Sequence, residues 1–287
     1  LQYNTDEEEL AYIKRALDYP IFTEPEDALT ALAISKDYYR RLTASKENPP
    51  FYPIDRSRAA LVLQKAIGGK RDPLLSEAME MLQSYGIPVA DYQVVYRKED
   101  LQQAIEKTGF PAAMKVISPE ISHKSDVGGV ILHIDSLKKA EEAYDRVMRL
   151  NQENRTGVLL QEMISSGKEI ILGAKRDPSF GPVVLFGLGG IYVEVLKEIS
   201  LRVAPINRSE AAEMISELKG ASILKGVRGE RPSDIEAIVE MLLKLSQLMV
   251  DYPEIEGIDI NPVMVLENGT VAVDARILLK GTKGIEQ

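Results

Sequence analysis

GIDINPVMVLENGTVAVDARILL, residues 257–279, reads as a hairpin. Two β-rich arms flank Asn268-Gly269, and Asn-Gly is the strongest short turn signal. With those two residues as the turn, Glu267 faces Thr270, and the pairing runs outward to Asn261 facing Arg276. Asp274 is then the diagonal neighbour of Asn261 on the same face, about 7–8 Å away at Cα. Asp259 shares that face. An amide oxygen and carboxylates aimed at one point make a hard oxygen site. Such a site suits Mg²⁺, which binds through one or two protein groups plus phosphates and waters. On geometry alone, a solvated hairpin face accounts for the same pattern.

Upstream, other features line up with the hairpin. Gln161-Glu162-Met163 ends a strand, and Glu169 follows seven residues after Glu162. FGLGGIYVE packs Gly187, Gly189 and Gly190 ahead of Glu194. Lys115, Lys124, Arg176 and Arg202 place cations on different elements. Taken singly, the glycines fit a plain tight turn and a strand lysine fits a solvated end.

Turn residues divide the rest of the chain. ASKENPPFYP (44–53) is polar and Pro-rich and reads as a linker, so a helical segment is expected over 1–55. A first lobe is expected over 56–155 and a second over 156–287. Residues 57–67 read as a helix ended by Gly68-Gly69, and Asp72 as the cap of a helix running from Pro73 to Gly86. Strands are expected near 91–96, 112–117, 130–134, 157–162, 168–176, 182–187 and 198–204. Helices are expected over 99–108, from Ser136 to about Glu153, over 208–219 and over about 233–251. Alternating helices and strands give an α+β (α/β) protein of two lobes, preceded by a short, mostly helical N-terminal segment.

Composition narrows the function classes. The 287 residues are 45% hydrophobic and 28% charged, as in a folded globular chain. No apolar run is long enough to span a bilayer, and the polar start LQYNTDEEEL is no signal peptide. No membrane role is expected, and the cytoplasm is the expected location. Because the chain opens with Leu1, a fragment, a processed product and a trimmed chain are all open. The net charge of −9 and the absence of Trp argue against a nucleic-acid surface. With no Cys there are no disulfides, thiolate metal ligands or thiol nucleophiles. Histidine chemistry must use His123 or His133.

Three stretches in this order resemble the ATP-grasp family: AAMKVISPEISHKSDVGGVIL (112–132), LLQEMISSGKEIILGAKRDPSFGPVVLFGLGGIYVEVLKEISLRVAPI (159–206) and the hairpin itself. Within it they are most similar to the nucleotide-binding module of ADP-forming acyl-CoA synthetases, relatives of succinyl-CoA synthetase. The resemblance covers about residues 65–280. It implies an ATP-grasp fold whose two lobes grip ATP or ADP. Glu162 and Met163 would form the adenine hinge, and Glu169 would bind ribose. Lys115 and Arg202 would neutralise phosphates, with Lys124, Arg176, Gly128, Gly129, Gly189, Gly190 and Glu194 completing the nucleotide site. Asn261 and Asp274 would hold Mg²⁺ (or Mn²⁺). Asp259 stands where the family often has glutamate.

His123 matches the family's phosphorylatable histidine. Its surroundings agree, since neutral imidazole is a competent nucleophile toward phosphorus. A loop lets such a residue move between two sites. Gly128-Gly129 permits close approach of backbone to phosphate, and Lys124 offsets charge on the transferring group. His133, within a strand, reads as structural. FTEPEDALTALA (22–33) resembles the tail of a CoA-ligase domain. The implied partners are therefore CoA-binding and CoA-ligase domains upstream or on a separate subunit, within a homo- or hetero-oligomer. The implied reaction is acyl-CoA + ADP + phosphate ⇌ carboxylate + CoA + ATP. Two other readings stay open. One is an ATP-binding regulatory module of a protein acetyltransferase-type fusion, and the other is an assembly scaffold that binds no nucleotide.

Overall fold

In the computed structural model the described residues are 11, 12, 15, 16, 20–22, 24–43, 47–119, 124, 127–150, 157–190, 198–226 and 231–282. The chain divides into two compact units, Leu1–Glu47 and Asn48–Gln287. In the first, helix α1 (Pro25–Thr43) starts on a proline, with Glu26 and Asp27 in its first turn. Both features favour a helix N-terminus.

The second unit begins earlier than the linker reading suggests. The Tyr52 backbone donates to Gln247 Oε1 at 2.9 Å and accepts from Gln247 Nε2 at 3.1 Å. Those bonds, 195 positions apart in sequence, make residues 48–55 part of the larger unit. Asp55 then caps helix α2 (Arg56–Gly68) by accepting from Arg58 N.

The next expected cap is not one. Helix α3 runs Leu75–Ser84, two residues later than the expected start. Its entry is held by Glu77, which accepts from Leu74 N and from both terminal nitrogens of Arg71. Asp72 instead accepts from Leu279 N at 2.9 Å and Thr282 Oγ1 at 2.6 Å, tying this corner to the far end of the chain.

Next comes an antiparallel sheet of β1 (Tyr92–Val95), β2 (Ala112–Val116), β3 (Val130–Ile134) and β4 (Val158–Glu162), in the order β1-β4-β2-β3. Helices α4 (Leu101–Thr108) and α5 (Leu137–Leu150) share one core with Met114, Val116, Val158 and Leu160 of this sheet. Side chains alternate along a strand, so Lys115, Leu159 and Gln161 stand on the opposite face. Leu159 accordingly joins the other core of the unit.

That larger core lies under a six-stranded antiparallel sheet: β5 (Lys168–Asp177), β6 (Gly181–Leu188), β7 (Ile199–Val203), β8 (Ile255–Val265), β9 (Thr270–Ala272) and β10 (Arg276–Leu279). The order is β10-β8-β5-β6-β7, with β9 also on β8. Ile170, Leu172, Val184, Phe186 and Ile260 pack with α2, α3, α6 (Arg208–Ser216) and α7 (Ile235–Asp251). The other face presents Ile171, Val183, Leu185, Leu201 and Asp259 to a groove of about 710 Å³.

The lobes therefore do not divide at 155/156. Helices α2 and α3 belong to the large core, while β4 is a central strand of the small sheet. The chain enters the large lobe, builds the small one from about Asp91 to Glu162, and returns. Among the described residues no helix is long and apolar enough to cross a membrane.

A candidate nucleotide and metal site

The terminal hairpin folds with a longer loop than a two-residue turn. Val265 pairs with Thr270, and Leu266 N donates to Gly269 O. Asp234 draws the tip in: Oδ2 accepts from Gly269 N at 2.8 Å, while Oδ1 caps α7. The register thus shifts by two from the expected one, and Arg276 faces Asp259. A shift of two keeps every side chain on its face, whereas a shift of one would invert them. Asn261 comes directly opposite Asp274, its N–H donating to Asp274 O at 3.2 Å. Asn261 and Asp274 are thus joined through their backbones, and Asp274 lies near enough to Asp259 to act on its charge.

Asp274 is the hub. Its Oδ1 accepts from Ala275 N at 2.9 Å and from Lys124 Nζ at 3.2 Å. Lys115 Nζ lies 3.9 Å from Oδ2 and donates to Val273 O at 2.8 Å. Both lysines come from the small lobe and the carboxylate from the large one, so the two lobes meet at this point. The Lys124 end is placed by Gly129, whose N–H donates to Lys124 O at 2.7 Å. A Cβ on Gly129 would stand 2.7 Å from Val116 Cγ1, so only glycine lets this loop lie on β2. Gly128 adopts φ +71°, in the same turn.

Burial and neighbouring charge act on the groups around Asp274. Burial pushes the Lys115 ammonium below its usual range; the Asp274 carboxylate opposes that shift, and Lys124 adds to it. Although part of Asp259 faces solvent, desolvation raises its carboxyl, and the neighbouring Asp274 raises it further against the pull of Arg276. A carboxyl whose charge is disfavoured by a neighbouring carboxylate, on a strand that also carries Asn261, fits a divalent cation. Among the described residues no three His, Cys, Asp or Glu side chains cluster as a metal cage. Such a donor set fits Mg²⁺ whose shell is completed by phosphates.

The nucleotide residues fall into three groups. Lys115 and Lys124 meet Asp274, and Gly128 and Gly129 lie in the turn that holds the Lys124 backbone. Glu162 and Met163 sit at the end of β4 with their N–H groups committed, to Asp91 O and Pro111 O. Glu162 Oε1 also accepts from Asp91 N, and His133 N donates to Met163 Sδ at 3.1 Å. Gly189 and Gly190 fold over Glu169: Gly189 N donates to Glu169 O at 2.8 Å, and a Cβ there would meet Glu169 at 2.8 Å. Gly189 is thus explained by close approach to the Glu169 backbone, and Gly190 by its φ of +61° beside the Glu169 side chain.

Arg176 and Arg202 are corrections. Both lie on the helix-covered face of the large sheet. Arg176 donates to Met249 O, Tyr252 O and Ile255 O, satisfying carbonyls at the end of α7. Arg202 is held by Glu213 and Glu217 of the α6 region. Strand alternation puts these guanidiniums opposite Asp259, with the sheet between. His123 and Glu194 lie outside the described residues.

Sequence reasoning passed over one residue. Gln161 is fully buried on the Lys115 face, and neither its Oε1 nor its Nε2 has a hydrogen-bond partner among the described residues. The available signal was a lone amide at an inward strand position after Val158-Leu159-Leu160.

A family model described as ATP-grasp domain matches residues 66–279. The chain is 42% identical over 228 residues to the acetate–CoA ligase [ADP-forming] I subunit beta of Pyrococcus furiosus, covering 78% of this chain and 98% of that one. It is 39% identical over 273 residues to acetate–CoA ligase [ADP-forming] I of Archaeoglobus fulgidus. That match takes in 93% of this chain but only 40% of the longer relative. Among solved structures it matches the Ca. Korarchaeum cryptofilum dinucleotide forming acetyl-coenzyme A synthetase 1 with coenzyme A and Mg-AMPPCP, whose phosphohistidine segment points towards the nucleotide binding site. There the TM-score is 0.69 and the identity 39%, over 77% of this chain and 100% of that chain. The chain belongs to the ATP-grasp domain family, with the beta subunits of ADP-forming acetate–CoA ligases among its relatives.

Proposed function

We propose that this chain is the nucleotide half of an ADP-forming acyl-CoA synthetase, moving a phosphoryl group between ATP or ADP and His123. The observation that carries the reading is the convergence of Lys115 and Lys124 from one lobe on Asp274 from the other, with Asp259 and Asn261 beside it. Each half of that pairing has a natural exchange partner: the lysines suit phosphate oxygens, and the carboxylates suit the cation that accompanies them.

In the direction that consumes ATP an imidazole nitrogen of His123 bonds to the γ-phosphorus as the bond to the ADP oxygen breaks. Lys115 and Lys124 hold the phosphates and offset charge as it shifts to the leaving oxygen. Glu169, Glu162 and Met163 orient ribose and base. Asn261, Asp274 and Asp259 would hold Mg²⁺, which when bound neutralises phosphate charge and fixes the triphosphate. CoA-binding and acyl-phosphate chemistry would come from domains elsewhere on the polypeptide or on a partner subunit.

The test is incubation with γ-labelled ATP and Mg²⁺. A label on the protein that is lost in acid and kept in base is the expected result, and no such label, together with no Mg-nucleotide thermal shift, would refute the proposal.

The metal element makes its own prediction. A carboxyl raised on folding contributes stability while protonated and loses it as pH rises through its folded pKa. Asp259 is such a group, so its ionised form strains the site. Mg²⁺ with nucleotide should therefore stabilise the protein increasingly as pH rises through the acidic range where Asp259 ionises. Asp259→Asn should be at least as stable as the parent without ligand near neutrality. It should also lose about tenfold or more in Mg-nucleotide affinity, read by thermal shift across a pH series.

A further inference from the structure

Gln161 poses a problem of polar accounting. It is the fourth residue of β4, 0% exposed, directly opposite Ala113 on β2 and Tyr92 on β1. Both ends of its amide are buried and, among the described residues, unpartnered, whichever way the group is flipped. Native folds rarely leave such groups unpaired, because desolvating them without a bond costs stability. An aliphatic residue, like Leu159 two places earlier, would serve the core better.

The location suggests what the amide is for. Gln161 stands on the face of the small sheet that carries Lys115, turned from the α4 and α5 core. Lys115 pairs with Leu159, so Gln161 is its diagonal neighbour, one step nearer Glu162-Met163. The face therefore runs from the Lys115–Asp274 end, suited to phosphate and metal, to the end of β4.

We infer that Gln161 reads the base of the bound nucleotide, pairing its amide with the 6-amino group and N7 of adenine. The inference rests on the nucleotide reading above. An amide offers one acceptor and one donor side by side, and adenine presents the complementary amino donor and N7 acceptor. Guanine offers two acceptors, O6 and N7, and leaves one end of the amide unpaired. The N7 edge is the one to expect here, because in an anti nucleotide it lies on the side of the phosphates, and Gln161 adjoins the phosphate-binding lysine. Gln161 would thus be a specificity residue for adenine over guanine nucleotides.

The test uses the full chain and three Mg²⁺-loaded nucleotides: ADP, GDP and 7-deaza-ADP, which lacks only the N7 acceptor. On the parent protein, ADP should bind about tenfold to a hundredfold more tightly than GDP, with 7-deaza-ADP weakened about tenfold. Gln161→Met, which fills similar volume, should melt higher without ligand, bind ADP about tenfold or more less tightly and erase the difference between ADP and 7-deaza-ADP. Equal parent affinities for ADP and 7-deaza-ADP would overturn the inference even if the variant does not fold. Unchanged ADP affinity in a folded Gln161→Met would overturn it as well. If no nucleotide binds the parent, the nucleotide reading itself has failed.

Discussion

His123→Ala should remove the acid-labile, base-stable label from the protein, by at least about a thousandfold, while leaving Mg-nucleotide affinity within about twofold. The two outcomes separate because the proposed acceptor and the binding groups are different residues. The phosphates would be held by Lys115 and Lys124 and the metal by the hairpin, so losing the imidazole removes the nucleophile and little of the ground-state binding. Alternative acceptors are few. The chain has no cysteine. The other histidine, His133, sits on β3 at φ +57° with its N–H against Met163 Sδ. A carboxyl acceptor would give a base-labile product, so the stability of any residual label identifies it. Label retained at parental level in His123→Ala, with acid lability intact, would move the acceptor elsewhere and sink this assignment. Lost nucleotide binding in the same variant would mean that the histidine builds the site.

The strands and helices were legible wherever local chemistry decides them. The hairpin was readable from Asn268-Gly269, although its register lies two residues from the expected one. The error arose because Asp234 binds Gly269 from 35 positions away, which no turn preference encodes. Asp72 misled for a similar reason. It stands where a helix cap would, but its partners are Leu279 and Thr282, brought near only by the closed fold. Arg176 and Arg202 illustrate a third limit. A cation on a strand could face either side of the sheet, and here Met249, Tyr252, Glu213 and Glu217 occupy the side they take. Lys115 was singled out because the family pattern marks it, and the fold sets it 3.9 Å from Asp274. Gln161 has no mark in sequence beyond its place among apolar neighbours, and only burial without a partner reveals it.

Asp274→Asn should be the most damaging change on the hairpin, lowering phosphoryl transfer by at least about a hundredfold. The amide keeps the shape but removes the charge that both lysines face and that the metal would need. Without ligand the variant should also be less stable. Lys115 is buried and already disfavours its proton, with Asp274 opposing that tendency and Lys124 strengthening it. Removing the carboxylate leaves two cations facing each other. Loss of one partner of a buried pair costs about 3–5 kcal/mol. Asp274 is about a quarter exposed, so solvent screening brings the expected loss down to about 1–2 kcal/mol. The sign of the pH dependence is a further check. A lysine whose folded pKa is depressed binds fewer protons folded than unfolded, so stability rises as pH climbs from that folded value toward the ordinary lysine range. The Lys115 share of the carboxylate's effect lasts only while Lys115 is charged, so the stability gap between parent and variant should narrow on going alkaline. Nucleotide without Mg²⁺ should behave in the opposite way from phosphoryl transfer. Its phosphates would meet two lysines released from Asp274, so metal-free ATP should bind the variant at least as tightly as the parent. Titrations with and without Mg²⁺ would show this directly. A variant that loses metal-free binding as well would mean that Asp274 acts chiefly to hold the lysines in place, and the metal role would pass to Asp259 and Asn261.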